Sequence, residues 1–149
     1  MNIRPLRSDE FFKIAKIYAL SKLDELRFES GCFELLPIEQ DERRFRELLE
    51  SSIYVYEDLE VLGYGAFFKD QIRALYVHPD ARGGGIGSDL LEFMISQVNV
   101  PARLFIAKSN QPARKLYERY GFKVTAEFQT SYNGVPVLAN EMVQRINSE

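Results

Sequence analysis

Arg82, Gly83, Gly84 and Gly85, with a further glycine at position 87, are the residues whose type and spacing best suit chemistry. They separate an apolar, strand-like run, "IRALYV", from a periodic helix, "IGSDLLEFMI". Glycine packs nothing and loses more backbone freedom on folding than any other residue, so the cluster needs a reason. A loop that leaves a strand and opens a helix presents unpaired amides at the positive end of the helix dipole. Bare backbone at Gly83, Gly84, Gly85 and Gly87 lets several amides converge on one anion. Phosphate fits that geometry, and Arg82 adds a fixed positive charge beside it. A flexible surface turn is the plain alternative, and the position between strand and helix favours the anion site.

The two commonest nucleotide loops fit poorly. The dinucleotide fingerprint needs a third glycine three residues after its G-x-G pair. Those places hold Ser88 and Leu90. A phosphate loop of the Walker type ends in Gly-Lys-Ser/Thr, and no lysine is present. His78, the sole histidine, reads as a turn residue, because it has no placed partner.

The elements that must position this loop follow from periodicity. "NIRPL" is a short strand, and Ser8 is an expected N-cap for a helix through "FFKIAKIYAL". An acidic, irregular segment over residues 24–40 precedes a short helix, "DERRFRELLE". "SIYVYED" and "VLGYGAFFKD" form a hairpin turning near residues 58–60, and "IRALYV" follows as a further strand. After the glycines, Ile86, Leu90, Leu91, Met94, Ile95 and Val98 mark one helical stripe. "ARLFIA" is a strand, and "QPARKLYERY" is a helix capped by Asn110 and closed near Gly121. Two last strands flank Asn133-Gly134, the strongest short hairpin signal. The crossover helix after the glycines implies one parallel pair in a mostly antiparallel sheet. The expectation is an α+β fold: a mixed sheet of about seven strands with helices on both faces.

The 149 residues suit a single domain, 1–149, with one core. An apolar fraction of 46% and a charged fraction of 28% are ordinary for a globular protein. A net charge of −3 argues against a nucleic-acid partner held by phosphate neutralisation. No apolar run reaches the ~18 residues of a membrane span, and "MNIRPLRSDE" lacks a signal peptide's apolar region. Cys32 stands alone, which leaves no intrachain disulfide and no thiolate metal cluster. No metal is expected, and the reducing cytoplasm is the expected location.

"LYVHPDARGGGIGSDLL" resembles the acetyl-CoA-binding segment of the GNAT superfamily of N-acetyltransferases, with its Gln/Arg-x-x-Gly-x-Gly/Ala pattern carried by Arg82, Gly85 and Gly87. "SNQPARKLYERYGF" resembles a second family block through Asn110, Ala113, Tyr117, Gly121 and Phe122. The resemblance implies a GNAT-like acyl-CoA N-acyltransferase fold and acetyl-CoA as cosubstrate. It implies that backbone groups of Leu75, Tyr76 and Val77 pair with the pantetheine arm, that the amides of residues 83–88 hold the pyrophosphate, and that Asn110 sits near the pantetheine. It also implies Tyr117 beside the thioester sulfur and the Val77 amide at the oxyanion. A phenol of pKa ~10 can protonate an alkyl thiolate whose conjugate acid lies near ~8.5, which suits Tyr117 as general acid. Tyr117 also falls on the core stripe of Ala113, Leu116 and Tyr120. The implied activity is acetyl transfer by direct attack of a primary amine, small molecule or peptide; a non-catalytic CoA-binding module is the alternative, and a nucleotide-binding interaction domain a third reading.

The base is open. Relatives that acetylate protein N-termini carry a glutamate where this chain has Phe105, which speaks against that mechanism here. Glu34, Asp70, Glu127 and Glu141 are candidates acting through water. The segment with Asp24, Glu25, Glu29, Glu34, Glu39, Asp41 and Glu42 against Lys22 and Arg27 is either an acidic rim for a cationic amine or a solvated face. A homodimer through the last strands is a family habit.

Overall fold

A computed structural model describes residues 2–145. Seven strands form one sheet in the order β1-β2-β3-β4-β5-β7-β6. They are β1 (Ile3–Pro5), β2 (Ser52–Asp58), β3 (Glu60–Phe68), β4 (Gln71–Val77), β5 (Arg103–Ala107), β6 (Phe122–Tyr132) and β7 (Val135–Gln144). The helices are α1 (Phe11–Ser21), α2 (Glu42–Glu50), α3 (Ile86–Gln97) and α4 (Gln111–Glu118). Every expected element is present in the expected order, and short 3₁₀ turns are added at Lys22–Leu26, Ile38–Gln40 and Pro79–Ala81.

The chain turns where the residues allow it. Asn133 (φ 48°) and Gly134 (φ 80°) are both left-handed, as a tight hairpin of matching twist requires. The N-terminus of α1 departs from expectation. Ser8 lies in an exposed turn, and Glu10 holds the cap position. Its carboxylate accepts from the Arg7 amide (2.9 Å) and from both terminal nitrogens of Arg4 (2.8 Å each). Lys13 adds a fourth donor (3.2 Å), so Glu10 caps α1 by position alone, its carboxylate bonding no amide of the first turn.

Two cores cover the two faces. Ile14, Ile17 and Tyr18 of α1 and Leu48 of α2 pack with Val55, Tyr64 and Ala66 on one face. On the other, Leu91 and Met94 of α3 and Tyr117 of α4 pack with Ile72, Leu104 and Met142. The expected α3 stripe is buried except Ile95, which is partly covered.

The parallel pair is barely a pair. β4 and β5 meet only at Gln71 and Arg103, where the Arg103 amide donates to the Asp70 carbonyl (2.9 Å) and its guanidinium binds the Asp70 carboxylate (3.1 Å). Beyond that point the strands diverge, and the sheet opens at its centre.

Candidate active site

The opening is a cleft of about 770 Å³. One wall is the end of β4. His78 N–H donates to the Leu62 carbonyl (2.7 Å), so antiparallel alternation gives the next pair of bonds to Tyr76 and Tyr64. The amides of Leu75 and Val77 therefore turn away from β3, toward the gap before β5. Of the three residues expected to offer backbone to a ligand, Leu75 and Val77 turn their amides outward, while Tyr76 spends its backbone on β3. The Val77 carbonyl is occupied by Ser21 Oγ and Arg82 Nε, each at 3.3 Å.

At the mouth lies the glycine loop. Gly83 and Gly85 both have φ +86°, and a Cβ at either would meet nothing within 4 Å. Left-handed backbone beside open space is what glycine permits and an ordinary side chain resists. Gly85 holds the N-cap position of α3, and Gly83, Gly85, Gly87 and Ser88 all line the cleft. Gly84 is exposed beside them, while Ile86 is buried and also lines the cleft. Arg82 is not a free cation. Its guanidinium binds Asp24 at 2.6 Å, tying the segment after α1 to the loop.

The far wall is β5 with the start of α4. Asn110 is 8% exposed, and its side chain accepts from the Ala113 amide (3.4 Å), so it caps α4 while lining the cleft. Tyr117 is also 8% exposed and packs edge-on against Phe122, with ring centroids 5.8 Å apart. It belongs to the core and also lines the cleft. Burial pushes its phenol above the ordinary value, and the Glu25 carboxylate pushes the same way. The proton stays on Tyr117 throughout the neutral range.

The expected bases lie elsewhere. Asp70 is bound by Arg103, Glu127 by Lys108 (2.7 Å), and Glu141 by the Thr125 hydroxyl (2.8 Å). Glu34 is exposed, and none of the four lines the cleft. His78 is a turn residue as expected, its Nδ1 accepting from the Asp80 amide (3.1 Å). Cys32 is exposed and free. Phe105, where some relatives carry a glutamate, lines the cleft and packs edge-on against Phe128.

Sequence reasoning missed the far end of the cleft. The acidic segment divides: Asp24 and Glu25 line the cleft, Asp41 is buried on Arg44 (2.8 Å), and Glu34, Glu39 and Glu42 face solvent. Tyr18, Lys22, Tyr64 and Tyr132 join Glu25 there. Only the fold brings α1, the 3₁₀ turn after it and the last hairpin to one place.

A family model of the acetyltransferase (GNAT) domain matches residues 50–124, which spans both walls, the glycine loop and Tyr117. The chain belongs to the GNAT acetyltransferases. This acetyltransferase is 28% identical, over 138 residues covering 91% of it and 92% of the relative, to the peptidyl-lysine N-acetyltransferase YjaB of Salmonella typhimurium. Its fold matches a GCN5-related N-acetyltransferase from Rhodopseudomonas palustris with a TM-score of 0.78, at 15% identity and 97% and 94% coverage of the two chains. It also matches a phosphinothricin acetyltransferase from Sinorhizobium meliloti, solved in complex with acetyl-CoA, with a TM-score of 0.69, 19% identity and 97% and 88% coverage. Among the described residues no helix is long and apolar enough to cross a membrane.

Proposed function

We propose that this acetyltransferase is one N-acetyltransferase domain of the cytoplasm that moves an acetyl group from acetyl-CoA to a primary amine, with Tyr117 as general acid. The observation that carries the reading is one continuous cleft, running from the glycine loop past the outward amides of Leu75 and Val77 to the buried phenol of Tyr117. The residues present fit the coenzyme. The loop offers amides on open, left-handed backbone for a diphosphate, and an unpaired strand edge suits an amide-bearing arm. Bound there, the coenzyme supplies an acetyl group activated as a thioester, open to direct attack by an amine.

The chain's own part is to align and to donate. Outward amides of Leu75 and Val77 fix an extended ligand along β4, and the Val77 amide lies on the side where carbonyl charge would develop. Asn110 shapes the far wall as the cap of α4. Tyr117 holds its proton until negative charge develops on the departing sulfur, then donates toward it. A raised phenol keeps its proton at neutral pH but is also the weaker acid, so it gives that proton up only as full negative charge forms on the sulfur. The acceptor is a primary amine, and the activity named for the Salmonella relative makes a peptide lysine the first to try.

Replacing Tyr117 by Phe keeps the packing and removes the proton. Free-thiol release with acetyl-CoA and a panel of amines should show kcat lowered about 10²-fold, with coenzyme-induced thermal stabilisation retained. Unchanged kcat would remove Tyr117 as the acid. Coenzyme binding with no thiol release from the unaltered protein would favour a non-catalytic CoA module.

A further inference from the structure

An ion pair stands inside the cleft. Lys22 and Glu25 lie three residues apart on the 3₁₀ turn after α1, and both line the cleft. Lys22 Nζ is 2.8 Å from Glu25 Oε2, and Lys22 is only 9% exposed. Its ammonium stands over the rings of Tyr18 (5.9 Å) and Tyr132 (5.2 Å). An alkylammonium on a four-carbon stem thus already occupies an aromatic and carboxylate setting that suits any such group. Glu25 shares the cleft with Tyr76 and Tyr117, and its charge, after burial, raises both phenols.

A second observation points to a ligand. Tyr18, 3% exposed, lines the same cleft, and its buried hydroxyl has no hydrogen-bond partner among the described residues. Buried polar groups are nearly always paired, so an unpaired hydroxyl in a residue of the cleft wall is consistent with a partner supplied from outside the chain.

We propose that Glu25 receives the acceptor's ammonium, that the acceptor enters as an unbranched alkyl primary amine of the lysine side-chain type, and that Lys22 holds this place until the acceptor displaces it. The inference rests on reading the cleft as an acetyl-transfer site. Lys22 is a competitor built into the wall, and its removal frees Glu25.

The two ends of the ion pair should therefore act in opposite directions. With a short, end-blocked lysine peptide as acceptor, Glu25→Gln should raise KM at least tenfold or abolish transfer, and Lys22→Gln should lower KM at least twofold. The melting shift given by CoA alone should be the same in all three proteins. Without coenzyme, millimolar peptide should raise the melting point of Lys22→Gln more than that of the unaltered protein, and that of Glu25→Gln not at all. A merely structural ion pair would make both substitutions lower the melting point and move KM the same way, and that result overturns the proposal. So does an unchanged KM in Glu25→Gln. Should Glu25→Gln not fold, Lys22→Gln decides alone, and a KM that is unchanged or raised refutes the assignment. These failures leave transfer by the unaltered protein intact; absence of any thiol release from it would instead remove the underlying reading together with the proposal.

Discussion

Tyr117 is tuned by its surroundings in a way that reaches the pH dependence of the reaction. Burial, then the Glu25 carboxylate, raise its phenol above the ordinary value near ~10. A general acid is lost only when pH passes its own pKa, so Tyr117, in the role proposed for it, remains protonated throughout the workable range. A lysine-type acceptor of pKa ~10.4 deprotonates in that range and gains reactive form about tenfold per pH unit. We expect kcat/KM for such an amine to climb from pH 6.5 to 9.5 without turning down. A downturn near pH 8 would assign the proton to a different group. At this scale the sequence makes some residues legible and hides others. Asn110, His78 and Tyr117 could be read because local neighbours define their roles: a helix start, a turn, a helical face. Glu25 could not. It is one acid among many in an irregular segment, and only the fold brings the turn that carries it to the cleft.

The start of α3 is where local structure and binding share the same atoms. Gly85 and Gly87 differ in kind. Gly85 is left-handed at +86°, so any side chain there strains the backbone by roughly 1–2 kcal/mol as well as blocking the mouth. Gly87 lies inside the first turn of α3, and a Cβ there meets Val77 Cγ2 at an ordinary 3.7 Å. A glutamate in a first helical turn is favoured by the helix dipole and by a better helix propensity than glycine. Gly87→Glu should therefore keep the melting point of the unliganded protein within a few degrees while abolishing stabilisation by CoA, because its carboxylate stands where a diphosphate would. Melting curves with and without CoA check this, and surviving protection would put the diphosphate elsewhere. Elements were the most legible level, since helical stripes and the Asn133-Gly134 turn are written in a few adjacent residues. The Ser8 cap was the exception, because Glu10 takes that role through Arg4, a residue of the strand before it.

The whole molecule must keep a sheet open at its centre and closed everywhere else. β4 and β5 share a single paired position, so the halves bearing the loop and the phenol are joined chiefly by the core beneath, where Leu91 and Met94 of α3 meet Leu104 and Met142. The sheet order follows from the crossover and hairpin signals, but the divergence of β4 from β5 has no local signature, since "IRALYV" and "ARLFIA" read as ordinary strands. At the loop-bearing edge, Arg4 of β1 clamps Glu10 at the start of α1 (2.8 Å) and Glu57 of β2 (2.9 Å). Hydrogen bonds from Arg4, then from the Arg7 amide, hold the Glu10 carboxyl far below the usual carboxylate range, and Arg4 lowers Glu57 as well. A carboxylate depressed in the folded state adds stability that is fully present above its unfolded pKa of about 4.3 and is lost as pH falls toward its folded value. The melting point should therefore decline steadily below about pH 5. Glu10→Gln should lower it at pH 7, where the clamp is charged, and flatten the acid slope, so that the two curves converge near pH 2. Parallel curves from pH 7 to pH 2 would mean that this clamp does not govern acid sensitivity, and that the edge strand is held by its backbone ladder alone.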